Sequence, residues 1–309
     1  MAWQPPEKVV SHAGTELTTD QVFFCEPPEA IGDIITGWTT LNVGDAPKSM
    51  VFRLGIASAL IVACPVLAVV LTSMANLNNI DQSGLVGVSI LVGLVIAVVA
   101  MVVSRFKHTC TYVGTAGMSR HTLRGDLESD TEDEVFRFDD ATDLTTSQTR
   151  HYTNGVYTGT QYSFQWKDHN GTSVFRLKGS YRSKEGNPKT KDPFHFAQSG
   201  EFAWSNYLLD ILQEELEEHG SVEFKVNKKD CVRIGPGFLE FEFKGNTQRV
   251  ESEHIKTLQV AGGSFQIATH DAGWFGRKGK FRFDYGSMAN ARVFLMALET
   301  LAGFQFGDE

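Results

Sequence analysis

Two uncharged apolar stretches, residues 54–74 and 85–103, stand one behind the other in a chain of 309 residues whose remainder reads as water-soluble. Neither contains Lys, Arg, Asp or Glu. A bilayer core about 30 Å thick needs roughly 20 apolar residues in a helix that rises about 1.5 Å per residue, and each stretch has about that length. Core helices of soluble proteins seldom reach this length without a polar stripe, and none is visible here. The pattern predicts a transmembrane hairpin over residues 51–105. A cleavable signal sequence fits poorly, because the first stretch follows an acidic, Pro-containing segment and not a basic N-terminus.

The flanks orient the hairpin. The turn at 75–83 carries Asp81 and no cation, whereas Lys48 and Arg53 precede the first stretch and Arg105, Lys107, Arg120 and Arg124 follow the second. Basic residues at span ends stay in the cytoplasm, so both termini are expected there and the turn outside. Small residues recur at every fourth position: Gly55, Ala59 and Ala63 in the first stretch, Ser89, Gly93 and Ala97 in the second. Such faces let helix backbones approach closely and are expected to pack within the hairpin or between copies; the alternative is the ordinary abundance of Gly and Ala in membrane helices. Pro65 is a candidate kink. With no charge inside either stretch there is no sign of an ion path or proton relay, so the hairpin reads as an anchor.

The formal net charge is −9, and residues 108–309 carry 23 Lys and Arg against 29 Asp and Glu. That balance argues against nucleic acid as a partner and means that any contact with anionic lipid must come from a local basic patch. The four cysteines, at 25, 64, 110 and 231, show neither CxxC nor CxH spacing, as expected in a reducing compartment without a disulfide framework or a zinc site. The Asn170-Gly171-Thr172 sequon falls on the cytoplasmic side of this topology.

After the hairpin the chain reads as strands, twice over. Tyr112-Val113-Gly114-Thr115-Ala116-Gly117-Met118 opens one alternating run, and Val232-Arg233-Ile234-Gly235-Pro236-Gly237-Phe238 opens the other. Downstream, Ser163-Phe164-Gln165-Trp166 parallels Ser264-Phe265-Gln266-Ile267, and Val174-Phe175-Arg176-Leu177 parallels Lys280-Phe281-Arg282-Phe283. Each copy closes with one amphipathic helix, expected near 202–218 and 288–303. A period of about 100 residues lies far above solenoid repeats and points to two domains of one fold, 108–219 and 220–309. Several antiparallel strands closed by one helix suggest a bent sheet or open barrel. That layout resembles the pleckstrin-homology-like (PH-like) superfold, and the chain as a whole resembles bacterial membrane proteins that join a two-helix anchor to PH-like domains. The resemblance covers residues 108–305 and rests on element order, the glycine turn and the terminal helix. It implies a membrane-anchored α+β protein of the bacterial plasma (inner) membrane, with two tandem PH-like antiparallel β domains. Residues 1–50 are expected to form an extended cytoplasmic segment with a short helix near 28–36, 126–134 an acidic loop, and 183–199 a polar insert.

Neither GxGxxG nor GxxxxGK[ST], GxSxG nor HExxH occurs, so no cofactor or catalytic metal is expected. Asp168-His169 and His270-Asp271 fall in turns, where solvated roles are the simpler reading. The acidic run from Asp126 to Glu134 lacks the glycine and terminal spacing of an EF-hand, which favours a solvated loop over a calcium site. The segment Trp274, Phe275, Gly276, Arg277, Lys278, Gly279, Lys280 has the make-up of an interfacial wedge, with aromatics for the headgroup region and cations for phosphates. Its competing reading is a hairpin whose aromatics fold back on the sheet. A second basic cluster, Lys178, Arg182, Lys184, Lys189 and Lys191, reads as a solvated face. The resulting expectation is a non-enzymatic scaffold or adaptor, held in membrane lipid by its hairpin and presenting PH-like domains to a protein partner or to its own copies. The alternative is a module that senses anionic lipid through Trp274, Phe275, Arg277, Lys278 and Lys280.

Overall fold

The computed structural model of the chain describes residues 3–45, 50–74, 82–103, 105–125, 128–183, 187–273 and 279–304. The two apolar stretches form helices α1 (Met50–Met74) and α2 (Gln82–Val103), both long and apolar enough to cross a membrane. Only 6% and 11% of the apolar windows in these helices is buried inside the protein, so they are not core helices. Side chains such as Val62, Leu67, Leu91 and Val95 point outward, which is stable only in an apolar surround. The helices pack through Ala57 on α1 and Gly93 and Ala97 on α2. A Cβ at Gly93 would come within 3.2 Å of the Leu60 carbonyl and Cys64 Cβ, so any larger residue there makes the facing helix give by a few tenths of an ångström. At the open end the Arg53 guanidinium donates to the Met101 carbonyl.

The other described residues are mainly antiparallel sheet, with one long and one short α-helix. Strands β1 (Ile34–Thr39), β2 (Lys107–Gly114), β3 (Gly117–Arg124) and β4 (Thr131–Arg137) form a four-stranded sheet in that order. Strands β5 (Asp143–Thr153), β6 (Val156–Lys167) and β7 (Ser173–Tyr181) form a three-stranded sheet, followed by helix α3 (Phe194–His219). The order then recurs. Strands β8 (Val222–Lys225), β9 (Cys231–Gly235), β10 (Phe238–Phe243) and β11 (Asn246–Glu251) make a second four-stranded sheet. Strands β12 (Ile255–Ala261), β13 (Ser264–Thr269) and β14 (Lys280–Asp284) make a second three-stranded one, before helix α4 (Ala291–Thr300). Period-2 burial on β13, with Phe265 and Ile267 inward, and on β6, with Phe164 and Trp166 inward, supplies each core. Helix α3 adds Trp204 and Leu208, and α4 adds Phe294 and Leu298. The buried apolar residues of both halves form one continuous cluster running from Val113 to Ala302.

Four expectations need correction. The N-terminal segment holds a 3-10 turn, Glu29–Ile31, where a short helix was expected, and then β1, which pairs with β2 from Thr39↔Cys110 to Ile34↔Gly114. The hairpin is therefore inserted between two hydrogen-bonded neighbours of one sheet. The acidic stretch is only partly a loop: Glu132, Asp133 and Glu134 lie on β4 because β3 presents Arg120 and His121 directly opposite Glu134 and Asp133 and Arg124 diagonally to Glu132. Helix α3 starts eight positions earlier than expected, at Phe194, whose N–H donates to the Asp192 carboxylate at 2.9 Å, and its first turns bury Phe194, Phe196 and Ala197. Helix α4 starts three positions later than expected, because Asn290 takes a left-handed φ of 54° and breaks the run, and it ends at Thr300.

Candidate functional site

The outward face of the first four-stranded sheet carries a chain of polar groups. Register places Cys110 opposite His121, Tyr112 opposite Ser119, and His121 opposite Asp133. Ser119 Oγ lies 3.2 Å from His121 Nε2, and His121 Nδ1 lies 2.8 Å from an Asp133 carboxylate oxygen. Beside them the Cys110 thiol donates to the Tyr112 hydroxyl at 3.0 Å, which in turn donates to the Cys25 carbonyl. The N-terminal segment lies over this face, with Trp3 edge-on to Phe23 and Tyr112 at 5.4 and 5.1 Å between ring centres. His12 joins this segment to the sheet and α3: its ring bonds Thr36 Oγ1 at 2.8 Å and Thr111 Oγ1 at 2.9 Å, and its carbonyl accepts from Ser199 Oγ. Gly114 lies so close beneath the segment that a Cβ there would overlap the Ile31 carbonyl.

Serine, histidine and aspartate in this order invite a nucleophile reading, but the surroundings oppose it. Ser119 has no exposed surface, and it sits in a strand paired on both sides, where the backbone offers no cradle for an oxyanion. Burial pushes the Cys110 thiol up to about 12 and raises the Tyr112 phenol further, away from any nucleophilic form at neutral pH. Burial, then the nearby His195, lowers His12 to about 3. The cluster holds the N-terminal segment in place.

The equivalent face of the second four-stranded sheet is built otherwise. Arg233 on β9 donates to Glu223 on β8 at 2.8 Å and to Glu240 and Glu242 on β10 at 2.9 Å each. All four side chains keep between 25% and 40% of their surface exposed. Burial, then the Glu223 carboxylate, pushes Cys231 up to about 12.

Between the halves sits a polar seam centred on Asn290. Its side-chain oxygen accepts from Leu144 N–H and Trp204 Nε1, both at 2.9 Å. Its amide donates to the Thr142 carbonyl at 3.1 Å, and its backbone N–H to the Leu144 carbonyl at 2.7 Å. One residue of the second half thus caps the exposed edge of β5 in the first. Glu201 on α3 faces the same seam. Desolvation there raises it to about 7, against the opposing pull of Arg292 and a hydrogen bond from Thr146. The Arg292 guanidinium covers the Phe202 ring at 4.7 Å.

Two clefts flank the turn at 226–230. One, of about 720 Å³, lies between that turn, the β10–β11 turn and β14, and is lined by Lys244, Lys280 and Arg282 with Asp230 and Asp284. The other, of about 640 Å³, is lined by Lys167, His169, Lys225 and Lys228 with Asp143. The two share Val226, Asn227 and Ser287.

Of the residues singled out for lipid contact, Lys280 lines the larger cleft; Trp274, Phe275, Arg277 and Lys278 lie outside the described residues. Ser89, Gly93 and Ala97 share the α2 face turned to α1, with Gly93 and Ala97 buried, whereas Gly55, Ala59 and Ala63 are exposed on α1. Asp168 shapes a turn, its carboxylate accepting from the Asn170 and Thr172 N–H groups at 2.9 and 2.8 Å. Lys178, Arg182, Lys189 and Lys191 are exposed, and Lys184 lies outside the described residues. Sequence reasoning passed over Lys244, Arg282, Glu201 and Asn290. The first two are ordinary turn and strand cations until the fold sets both in the lining of one cleft, and the last two become informative only when the halves meet. Neither the models of known protein families nor the curated proteins compared with this chain match it.

Proposed function

We propose that this chain is a non-enzymatic scaffold anchored in the bacterial plasma membrane, presenting two PH-like units on the cytoplasmic face to a protein partner or to its own copies. The observation that carries the reading is the insertion of α1 and α2 between β1 and β2. Two strands hydrogen-bonded in one sheet must lie on the same side of a bilayer, so a spanning hairpin between them returns the chain to the side it left. That agrees with the basic residues at both outer ends of the spans. The insertion also ties the first unit to the membrane at two points of its sheet, the end of β1 and the start of β2. Four strands, three strands and a helix, in that order and twice over, support the PH-like reading of each unit.

Cross-linking of the full-length protein in native membranes tests it. Discrete cross-linked species, containing either a second copy or one recurrent partner, are expected at low reagent concentration. A protein that stays monomeric and alone throughout sinks the scaffold reading. Epitope tags at the two termini should both be shielded from protease in intact spheroplasts; exposure of either one refutes the topology.

A further inference from the structure

We infer that the outward face of the β5–β7 sheet docks a second copy of this chain, taking the acidic end of that copy's α3. The inference rests on the scaffold reading and specifies which surfaces join the copies. Strand pairing sets Gln165 beside Arg176, Ser163 beside Lys178 and Gln161 beside Ser180 on this face, and Arg182 follows one residue past β7. Two clefts, of about 480 and 390 Å³, meet here at Gln161 and Ser180. Hydroxyls, the Gln161 amide, His151 and the cations Arg176, Lys178 and Arg182 line them, and no carboxylate does. The three cations are exposed, on a chain with a net charge of −9. Among the described residues none of them forms an ion pair, whereas Arg120, Arg124, Arg137, Arg233 and Arg249 all do.

The complementary surface belongs to the same unit. Asp210, Glu214, Glu217 and Glu218 on α3 are all exposed, and their spacing puts them on one face of the helix. Glu217 accepts from the Gln213 amide at 3.1 Å, but among the described residues none of the four forms an ion pair. Like charges four residues apart repel, and carboxylates in the last turn stand at the negative end of the helix macrodipole. The stripe therefore costs the isolated chain stability that cations from outside would return.

The two surfaces match in spacing as well as in sign. Residues four apart on a helix stand about 6 Å apart along its axis, and alternate residues of a strand about 6.6 Å apart. A helix laid along β7 thus sets successive carboxylates over the row from Arg176 to Arg182, while the hydroxyls and the Gln161 amide meet the remaining carboxylate oxygens. The chain's own α3 cannot make this contact. It packs on the inner face of the same sheet, with Phe194 edge-on to Tyr162 and Phe164 at 5.3 and 6.0 Å between ring centres. Its acidic end reaches the outward face only of another copy. Because the contact joins unlike surfaces, it either closes reciprocally about a two-fold axis or runs on head to tail.

The test follows fluorescence energy transfer between donor-labelled and acceptor-labelled full-length copies in an uncharged detergent. The parent is expected to associate, and to do so more weakly as salt is raised from about 50 to about 500 mM. The reversal variants R176E/K178E/R182E and D210K/E214K/E217K should each associate at least about tenfold more weakly than the parent. Mixed with one another they should recover, because every contact between unlike variants again sets opposite charges together. Recovery on mixing also shows that both variants fold. The charge-matched K228E/K229E/K256E variant should associate as the parent does. A parent that stays monomeric, reversal variants that associate as the parent does, or a mixture that fails to recover overturns the proposal. Cross-linking in native membranes separates this outcome from the scaffold reading. Self-cross-linking that both reversal variants retain keeps the scaffold and removes only this interface, whereas the absence of any cross-linked species ends both.

Discussion

The outward faces of the two four-stranded sheets occupy equivalent places and have opposite chemistry. In the first sheet the positions hold Cys110, Tyr112, Ser119 and His121, all nearly or fully buried beneath Trp3, Phe23 and Cys25. In the second the matching pairs are Cys231 with Glu242 and Arg233 with Glu240, an ionic cluster open to water. A sheet face meets water only if its side chains are polar, so the second sheet needs no cover, while the first needs the N-terminal segment. One architecture thus accommodates both a docked chain segment and a free charged surface, and the choice is made by four side chains on two strands.

If that contrast is real, truncation should hurt the covered face most. Phe23→Ala removes a ring that is 2% exposed and should cost about 3–5 kcal/mol in thermal or denaturant unfolding. A loss below about 1 kcal/mol would mean that the segment rests on the sheet without packing into it.

The seam offers a pH test of next rank. Glu201 is held near 7 in the folded chain against an ordinary value near 4.5, so the fold binds more protons than the unfolded chain between these limits. Its cost to stability therefore grows from about pH 4.5, is complete above 7, and reaches at most about 3 kcal/mol. Glu201→Gln should melt with the parent at pH 4.5 and later than it at pH 8; identical curves at pH 8 would place the carboxyl in water.

His12 carries the opposite sign. Its folded value of about 3 lies below the ordinary 6.5, so the folded chain binds fewer protons and the stability contributed by the neutral ring drains away as the pH falls below 6.5. The loss by pH 5 should be about 2 kcal/mol, read as faster proteolysis of the N-terminal segment. A His12→Asn variant that kept the same acid dependence would assign the effect elsewhere.

The smallest effect belongs to the open face. Arg233→Ala should cost no more than about 1 kcal/mol, because its partners are partly solvated and can regain water. A loss comparable to that of Phe23→Ala would erase the distinction between the two faces.

Local pattern carried much of this architecture. Two runs without charge announced α1 and α2, and alternation with glycine turns announced strands such as β3, β10 and β13 in their order. The candidate sites were far less legible. Lys280 was noticed as part of an aromatic and basic loop, yet its neighbours in the cleft, Lys244 and Arg282, come from another turn and from its own strand. Nothing near Glu201 or Asn290 in the chain foretells the seam, since Thr146 and Arg292 beside Glu201, and Leu144 and Trp204 bonded to Asn290, are all remote in sequence. The strand β1 shows the limit best. Ile34-Ile35-Thr36-Gly37-Trp38-Thr39 lacks clean alternation, and its partner β2 lies beyond the whole hairpin. Residue order by itself determined which segments are apolar, helical or pleated, because those properties depend on side chains a few positions apart. Only the tertiary structure decided that the hairpin interrupts a sheet, that one sheet face is covered and the other open, and that Lys244, Lys280 and Arg282 share a cleft. Each of those depends on backbone pairing and burial between residues far apart in the chain, where local periodicity carries no information.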